Sequence, residues 1–179
     1  MRIKKILIDE IKKNGKLNIA KFMQICQFEN DGYYLKNNPI GQANDFITSP
    51  EISQMFGEIL AIFIINYWAN KIKNNFNLVE LGPGKGTLLK DILRTSAINQ
   101  KFLNSMSLTL IEKNKTLIDI QKKNMNYENI TWSEEFYIAN KNIPSIIYSN
   151  EFFDCFPVQQ YHKKEKWYEK YVNYNEVEQ

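Results

Sequence analysis

Apolar positions recur at helical spacing over residues 2–14, where Ile3, Ile6, Leu7 and Ile11 form one stripe and Gly15 follows as a stop. A second short helix is expected from Ile19 to Gln27. Residues 29–47 carry turn formers, Asn30-Asp31-Gly32, Asn37-Asn38-Pro39 and Gly41, and read as irregular. A helix start follows at Thr48-Ser49-Pro50-Glu51. Thr48 with Glu51 fits a capping box, whereas Ser49 before Pro50 fits the preference of proline for the first helical position. This helix is expected to run to about Asn74. Ile52, Met55, Phe56, Ile59, Leu60, Phe63, Tyr67 and Trp68 lie at helical spacing along it and read as core.

From residue 76 the pattern changes to strands alternating with helices. Phe76 to Leu81 reads as a strand, Gly86 to Arg94 as a helix and Leu108 to Glu112 as a near-continuously apolar strand. Asn114 caps a helix running to about Asn124. Ile130 to Trp132 and Ser145 to Ser149 read as further strands. Buried strands alternating with helices predict an α/β fold, a parallel sheet with flanking helices, behind an N-terminal helical segment. Val158 to Lys164 and Lys166 to Tyr174 read as a hairpin. The expected division is residues 1–75 (helical segment and cofactor lid), 76–157 (nucleotide-binding core) and 158–179 (hairpin and polar tail).

Composition narrows the chemistry. A chain of 179 residues with 44% apolar content can build one sizeable core. The net charge of +3 arises at one end, because residues 1–21 carry seven basic and two acidic side chains. No general nucleic-acid-binding surface is implied. Two cysteines, Cys26 and Cys155, cannot form a disulfide framework, and a single histidine, His162, cannot form a histidine metal site. The apolar run from Ile59 to Tyr67 is interrupted by Asn66 and far shorter than a membrane span. The expectation is a soluble protein of a reducing compartment: cytoplasmic in a bacterium, in the mitochondrial matrix in a eukaryote, with no metal.

The most informative stretch is Glu80-Leu81-Gly82-Pro83-Gly84-Lys85-Gly86-Thr87, where a strand ends and a helix begins. Glycines there let a ligand approach the backbone and the helix N-terminus. The phosphate loop of nucleoside triphosphatases does not fit any placement of these residues. A dinucleotide fingerprint requires glycine where Thr87 stands. Glu80-x-Gly82-x-Gly84-x-Gly86 resembles in full the loop of class I S-adenosylmethionine-dependent methyltransferases. A carboxylate at the strand end suits a cofactor carrying a sulfonium and an ammonium better than a pyrophosphate. Glu112, ending the next apolar strand 26 residues after Gly86, stands where doubly wound sheets bind ribose hydroxyls.

The fourth strand leads into Asn150-Glu151-Phe152-Phe153-Asp154-Cys155-Phe156-Pro157. Ligands of open α/β sheets bind beyond the carboxyl ends of strands, so this loop is expected to face the same crevice. Its carboxylates suit a guanidinium, held by paired hydrogen bonds. Glu151 and Asp154 are the candidates for that role, and Phe152 and Phe156 read as core.

Three blocks then carry a resemblance: residues 45–58 around Thr48-Ser49-Pro50-Glu51, residues 79–88 around the glycine loop, and Asn150-Glu151-Phe152-Phe153-Asp154. In this order they closely resemble the MidA family, that of the mitochondrial complex I assembly-factor arginine methyltransferase and its bacterial relatives. Asn44 stands where that family usually has glycine, and Lys85 where arginine is common. The resemblance implies a Rossmann-like class I methyltransferase fold, S-adenosylmethionine as cofactor, and an arginine of the NADH dehydrogenase subunit corresponding to the mitochondrial 49-kDa protein as target. It places Thr48, Ser49 and Pro50 over the cofactor, and Glu80, Gly82, Pro83, Gly84, Gly86, Thr87, Glu112 and Asn150 around it. Trp132 either packs on the adenine or is an ordinary core tryptophan. Family members are roughly twice as long, so the chain reads as C-terminally truncated. The rival expectations are a non-catalytic chain that binds a partner as an assembly protein, and a nicotinamide or other nucleotide binder.

Overall fold

The computed structural model describes residues 2–36, 47–125, 127 and 129–175. The expected turns at 37–46, the Asn44 departure and the tail at 176–179 lie outside the described residues. In chain order the elements are α1 (Arg2–Asn14), β1 (Leu17–Asn18), α2 (Ile19–Phe28), α3 (Tyr33–Lys36), α4 (Ser49–Ile52), α5 (Gln54–Tyr67), β2 (Phe76–Leu81), α6 (Thr87–Ser96), α7 (Gln100–Ser105), β3 (Met106–Ile111), α8 (Lys115–Asn124), β4 (Ile130–Ser133), β5 (Ser145–Ser149), β6 (Tyr161–Lys163), β7 (Trp167–Glu169) and β8 (Tyr171–Val172). They group into two compact units, residues 1–38 with 153–179, and residues 39–152. Residues 47–75 group with the sheet.

In the larger unit, β2 to β5 form one parallel sheet in the order β4-β3-β2-β5. Its central strand β2 is buried along most of its length, as expected for a strand paired on both sides and covered on both faces. Phe76, Leu78, Leu108 and Leu110 pack with Leu89, Ile92, Phe102, Ile64 and Trp68 into the main core. The α/β class and the parallel strands follow the apolar pattern, and β5 begins and ends where expected. Asn114 caps α8, its Oδ1 accepting from Thr116 N and Leu117 N.

Asn77 is fully buried in β2. Its Nδ2 donates to Asn140 O at 2.8 Å and to Ser145 Oγ at 3.0 Å, and its Oδ1 accepts from Asn140 N at 3.2 Å. One amide thus satisfies the backbone of the segment entering β5. Asn77→Ala leaves those groups unpaired and is expected to cost about 2–4 kcal/mol, read as a lower urea midpoint at unchanged slope.

The helix expected from Thr48 to Asn74 differs. Ser53 has extended backbone, separating α4 from α5, and α5 ends in a wide π-type turn, Trp68–Ile72, stopped by Lys73 at φ 63°. The stripe read as core is largely exposed. Ile52, Met55, Ile59, Phe63 and Tyr67 face outward, with Phe56 39% exposed, while Gly57, Ala61, Ile64 and Trp68 face inward. The reason is steric. A Cβ on Gly57 would lie 2.5 Å from Asp91 Cβ, so the glycine lets α5 approach α6 closely. Because α5 is apolar nearly all round, period alone could not choose its inner face.

In the smaller unit, α1 places Ile11 in a core with Leu17 and Ile25, and Ile3, Ile6 and Leu7 pack against it. The stripe expected there is present. Residues 29–36, read as irregular, contain the short α3. The hairpin is shorter than expected: β6 pairs with β7 only, and the chain continues into β8, which pairs antiparallel with β1. The loop after β5 holds a single 3₁₀ turn, Phe153–Cys155. Phe156, read as core, is 42% exposed and contacts the Phe153 and Phe28 rings.

Candidate cofactor site

Beyond Leu81 the chain turns on three glycines with left-handed backbone: Gly82 at φ 61°, Gly84 at φ 57° and Gly86 at φ 82°. Side chains rarely adopt these angles, which is the physical need for glycine at alternate positions here. Gly82 N donates to Ile111 O at 3.0 Å, and Gly86 N donates to Pro83 O at 2.8 Å. The loop is thus tied to the end of β3 and closed upon itself before α6 begins at Thr87. A Cβ on Gly82 would overlap the Phe152 ring, and one on Gly86 would overlap the terminal methyl of Met125.

Glu80, one residue before Leu81, is 2% exposed. Parallel pairing sets it beside Leu110 on one side and Tyr148 on the other, and Tyr148 OH donates to Glu80 Oε2 at 3.0 Å. Burial pushes the Glu80 carboxyl up to about 8, against the lowering influence of the Tyr148 hydrogen bond. Burial first, then the neighbouring carboxylate, holds Tyr148 well above the ordinary tyrosine range, so it remains a neutral donor.

Glu112 follows β3 directly. Its Oε1 accepts from Asn114 N at 2.9 Å, and its own N donates to Ser133 O at 2.9 Å. Burial raises its pKa, opposed by the backbone hydrogen bonds from Asn114 and Lys113. Two carboxyls therefore sit at the carboxyl ends of adjacent parallel strands, where open α/β sheets bind ligands. The pairing suits a cation and a diol.

The Ser-Pro-Glu turn meets the same loop. Pro50 is buried, Ser49 is exposed and Thr48 is half-buried. Thr48 makes no side-chain cap bond, so the expected capping box does not form. Glu51 instead accepts from Thr87 Oγ1 and lies 3.9 Å from Lys85 Nζ, which joins α4 to the start of α6. Trp132 on β4 is half-buried against the main core, and Lys122 Nζ stands 5.3 Å from its ring centroid. Asn150 is half-buried after β5; Glu151 is exposed, with left-handed backbone at φ 49°. Asp154 is exposed in the 3₁₀ turn of the smaller unit.

Sequence reasoning missed three contributors: Tyr148, Gln121 and Met125. Tyr148 is identified only by strand register. Gln121 and Met125 carried a signal, because Leu117, Gln121 and Met125 follow one another at i+4 on the inner stripe of α8. A glutamine on such a stripe calls for buried partners.

Residues 59–179 match a family described as putative S-adenosyl-L-methionine-dependent methyltransferases. The chain is 37% identical over 182 residues to the mitochondrial protein arginine methyltransferase NDUFAF7 of Bos taurus, covering 88% of this chain and 41% of that protein. It is 34% identical over 202 residues to the Caenorhabditis elegans homologue, covering 96% and 46%. The chain thus spans less than half the length of these curated relatives. A Burkholderia thailandensis protein solved with bound S-adenosyl-homocysteine shares the fold at a TM-score of 0.82 and 20% identity, over 98% of this chain and 47% of that one. The glycine loop, the two strand-end carboxyls and the family match lead to one conclusion: the chain belongs to the family of putative S-adenosyl-L-methionine-dependent methyltransferases.

Proposed function

We propose that this chain binds S-adenosylmethionine and serves the methylation of an arginine on a protein substrate. The observation that carries the proposal is Glu80, a buried carboxyl at the end of β2 that has only a neutral hydroxyl as its hydrogen-bond partner among the described side chains. Such a group is costly to hold as an anion and becomes favourable beside a cation.

In this reading Glu80 holds the ammonium of the cofactor and Glu112 its ribose hydroxyls. Gly82, Pro83, Gly84, Gly86 and Thr87 supply backbone and helix-terminus contacts, Thr48, Ser49 and Pro50 cover it, and Trp132 and Asn150 border it. When bound, S-adenosylmethionine supplies an electrophilic methyl group on a sulfonium. The remaining work is positioning and electrostatics. Glu151 and Asp154 are each a candidate to hold a guanidinium by charge-assisted hydrogen bonds and orient its nitrogen. Relatives named as arginine methyltransferases support the target chemistry. The resemblance to the MidA family adds a respiratory complex I subunit as the substrate, and the cytoplasm or mitochondrial matrix as the place.

Calorimetric titration of S-adenosylhomocysteine tests the cofactor part. Wild type is expected to bind at micromolar Kd, and Glu112→Ala to bind about 10- to 100-fold more weakly, the worth of charge-assisted hydrogen bonds to the diol. Equal affinity of the two chains removes Glu112 from the site, and no wild-type binding removes the cofactor proposal. Labelled methyl transfer to the dehydrogenase subunit tests the rest.

The outward apolar face of α5 favours a second reading, a chain that docks on another polypeptide without catalysis. Retention of the dehydrogenase subunit without cofactor, with no methyl mark, would support it over the first.

A further inference from the structure

We infer that Gln121 is a positioning residue that locks the glycine loop to Trp132, so that the two ends of the cofactor site are set by one buried amide. The inference rests on the cofactor reading above and names a residue which that reading does not use.

Gln121 lies on α8 and is fully buried. Its Nε2 donates to Gly84 O at 2.7 Å, and its Oε1 accepts from Trp132 Nε1 at 3.0 Å. The orientation of the amide admits no alternative. An indole N–H only donates and a backbone carbonyl only accepts, so a flipped amide would lose both bonds. One turn further on, Met125 fills the space against Gly86. Gly84 has left-handed backbone, and its buried carbonyl needs a donor. Gln121 supplies that donor and ties it, through 3.0 Å, to a ring on β4, two strands away from β2 in the sheet. Loop and ring cannot shift independently without leaving a buried polar group unpaired.

The chemistry offers a distinctive test in Gln121→Glu. A protonated carboxyl reproduces the pattern, with O–H donating to Gly84 O and C=O accepting from Trp132. An ionised carboxylate faces the Gly84 carbonyl with no proton to give. Among the described residues, Lys122 stands over the Trp132 ring, 5.3 Å from its centroid; Gly86 and Met125 carry no titratable group. The affinity of the full chain for S-adenosylhomocysteine is measured from pH 6 to 8.5, as the ratio of variant to wild type, at a temperature where circular dichroism shows both folded. The ratio is expected to approach one at pH 6 and to fall about tenfold or more by pH 8.5.

Should the variant fail to fold at high pH, a double-mutant cycle of Gln121→Met with Trp132→Phe keeps the inference open to refutation. Trp132→Phe is expected to weaken binding several-fold alone and by clearly less in the Gln121→Met background, where only its direct contact with the ligand remains to be lost. A constant ratio across pH, or additive losses in the cycle, would overturn the positioning role while leaving the cofactor reading intact. Absence of wild-type binding would end both.

Discussion

At pH 9, Glu80→Gln is expected to be more stable than wild type by up to about 5 kcal/mol, with the two chains nearly equal at pH 4.5. The magnitude follows from a carboxyl pushed from 4.5 to about 8, at about 1.4 kcal/mol per pH unit. The sign follows from linkage. The pKa is higher folded than unfolded, so between these values the folded chain keeps a proton that the unfolded chain releases. The stability contribution of Glu80 is complete below pH 4.5 and is lost as pH rises through 8. Glutamine carries no charge, and its carbonyl can still accept from Tyr148. Thermal melts across this range measure the effect, and parallel pH curves for the two chains would refute it. The same variant is expected to lose about 10- to 100-fold in affinity for S-adenosylhomocysteine at pH 8. Wild-type affinity should rise from pH 6 to 8 with release of a proton, seen as a binding enthalpy that depends on the buffer. A protein in which Glu80 served only the fold would show neither.

Gly82→Ala is expected to destabilise the chain by about 3 kcal/mol and to lower its Tm by about 6–12 °C. Two costs add. At φ 61° an alanine pays about 1–2 kcal/mol for a left-handed backbone, and its Cβ overlaps a ring carbon of Phe152. A phenylalanine ring cannot bend away as the end of Met125 can, so Gly82→Ala is expected to cost more than Gly86→Ala. The ring must move, and Glu151, the residue before it, moves with it. Loss of methyl transfer beyond the loss of cofactor affinity would be the functional sign of that movement. A Tm within 2 °C of wild type would show that the loop tolerates a side chain and would remove Gly82 from its tight turn.

Much of the sheet and the glycine loop was legible in the residues, for local reasons. β2 and β3 are short apolar runs bounded by turn formers, and such runs become buried strands wherever they are paired. The three glycines announce their own angles, because a side chain there would be strained. Asn114 caps α8 through bonds that span only three residues. Contacts across the sequence were not legible. A capping box, one of two helix starts the residues allow, would turn Glu51 back on its own helix, yet it bonds Thr87, 36 residues on. Tyr148 reaches Glu80 only because β5 pairs with β2 in one register.

The strand–loop–helix unit at 76–96, the glycines that shape its turn, and the carboxyls at the ends of β2 and β3 are written in the residues themselves, since these depend on backbone sterics and on periodicity along a few residues. Which face of α5 turns inward, that Gln121 spans from the loop to Trp132, and that burial lifts Glu80 to about 8 emerge only once the elements pack together. Those outcomes depend on packing partners that are distant in the chain. A helix apolar all round, a polar residue on an inner stripe and a carboxyl at a strand end each leave the partner unspecified until the sheet is assembled.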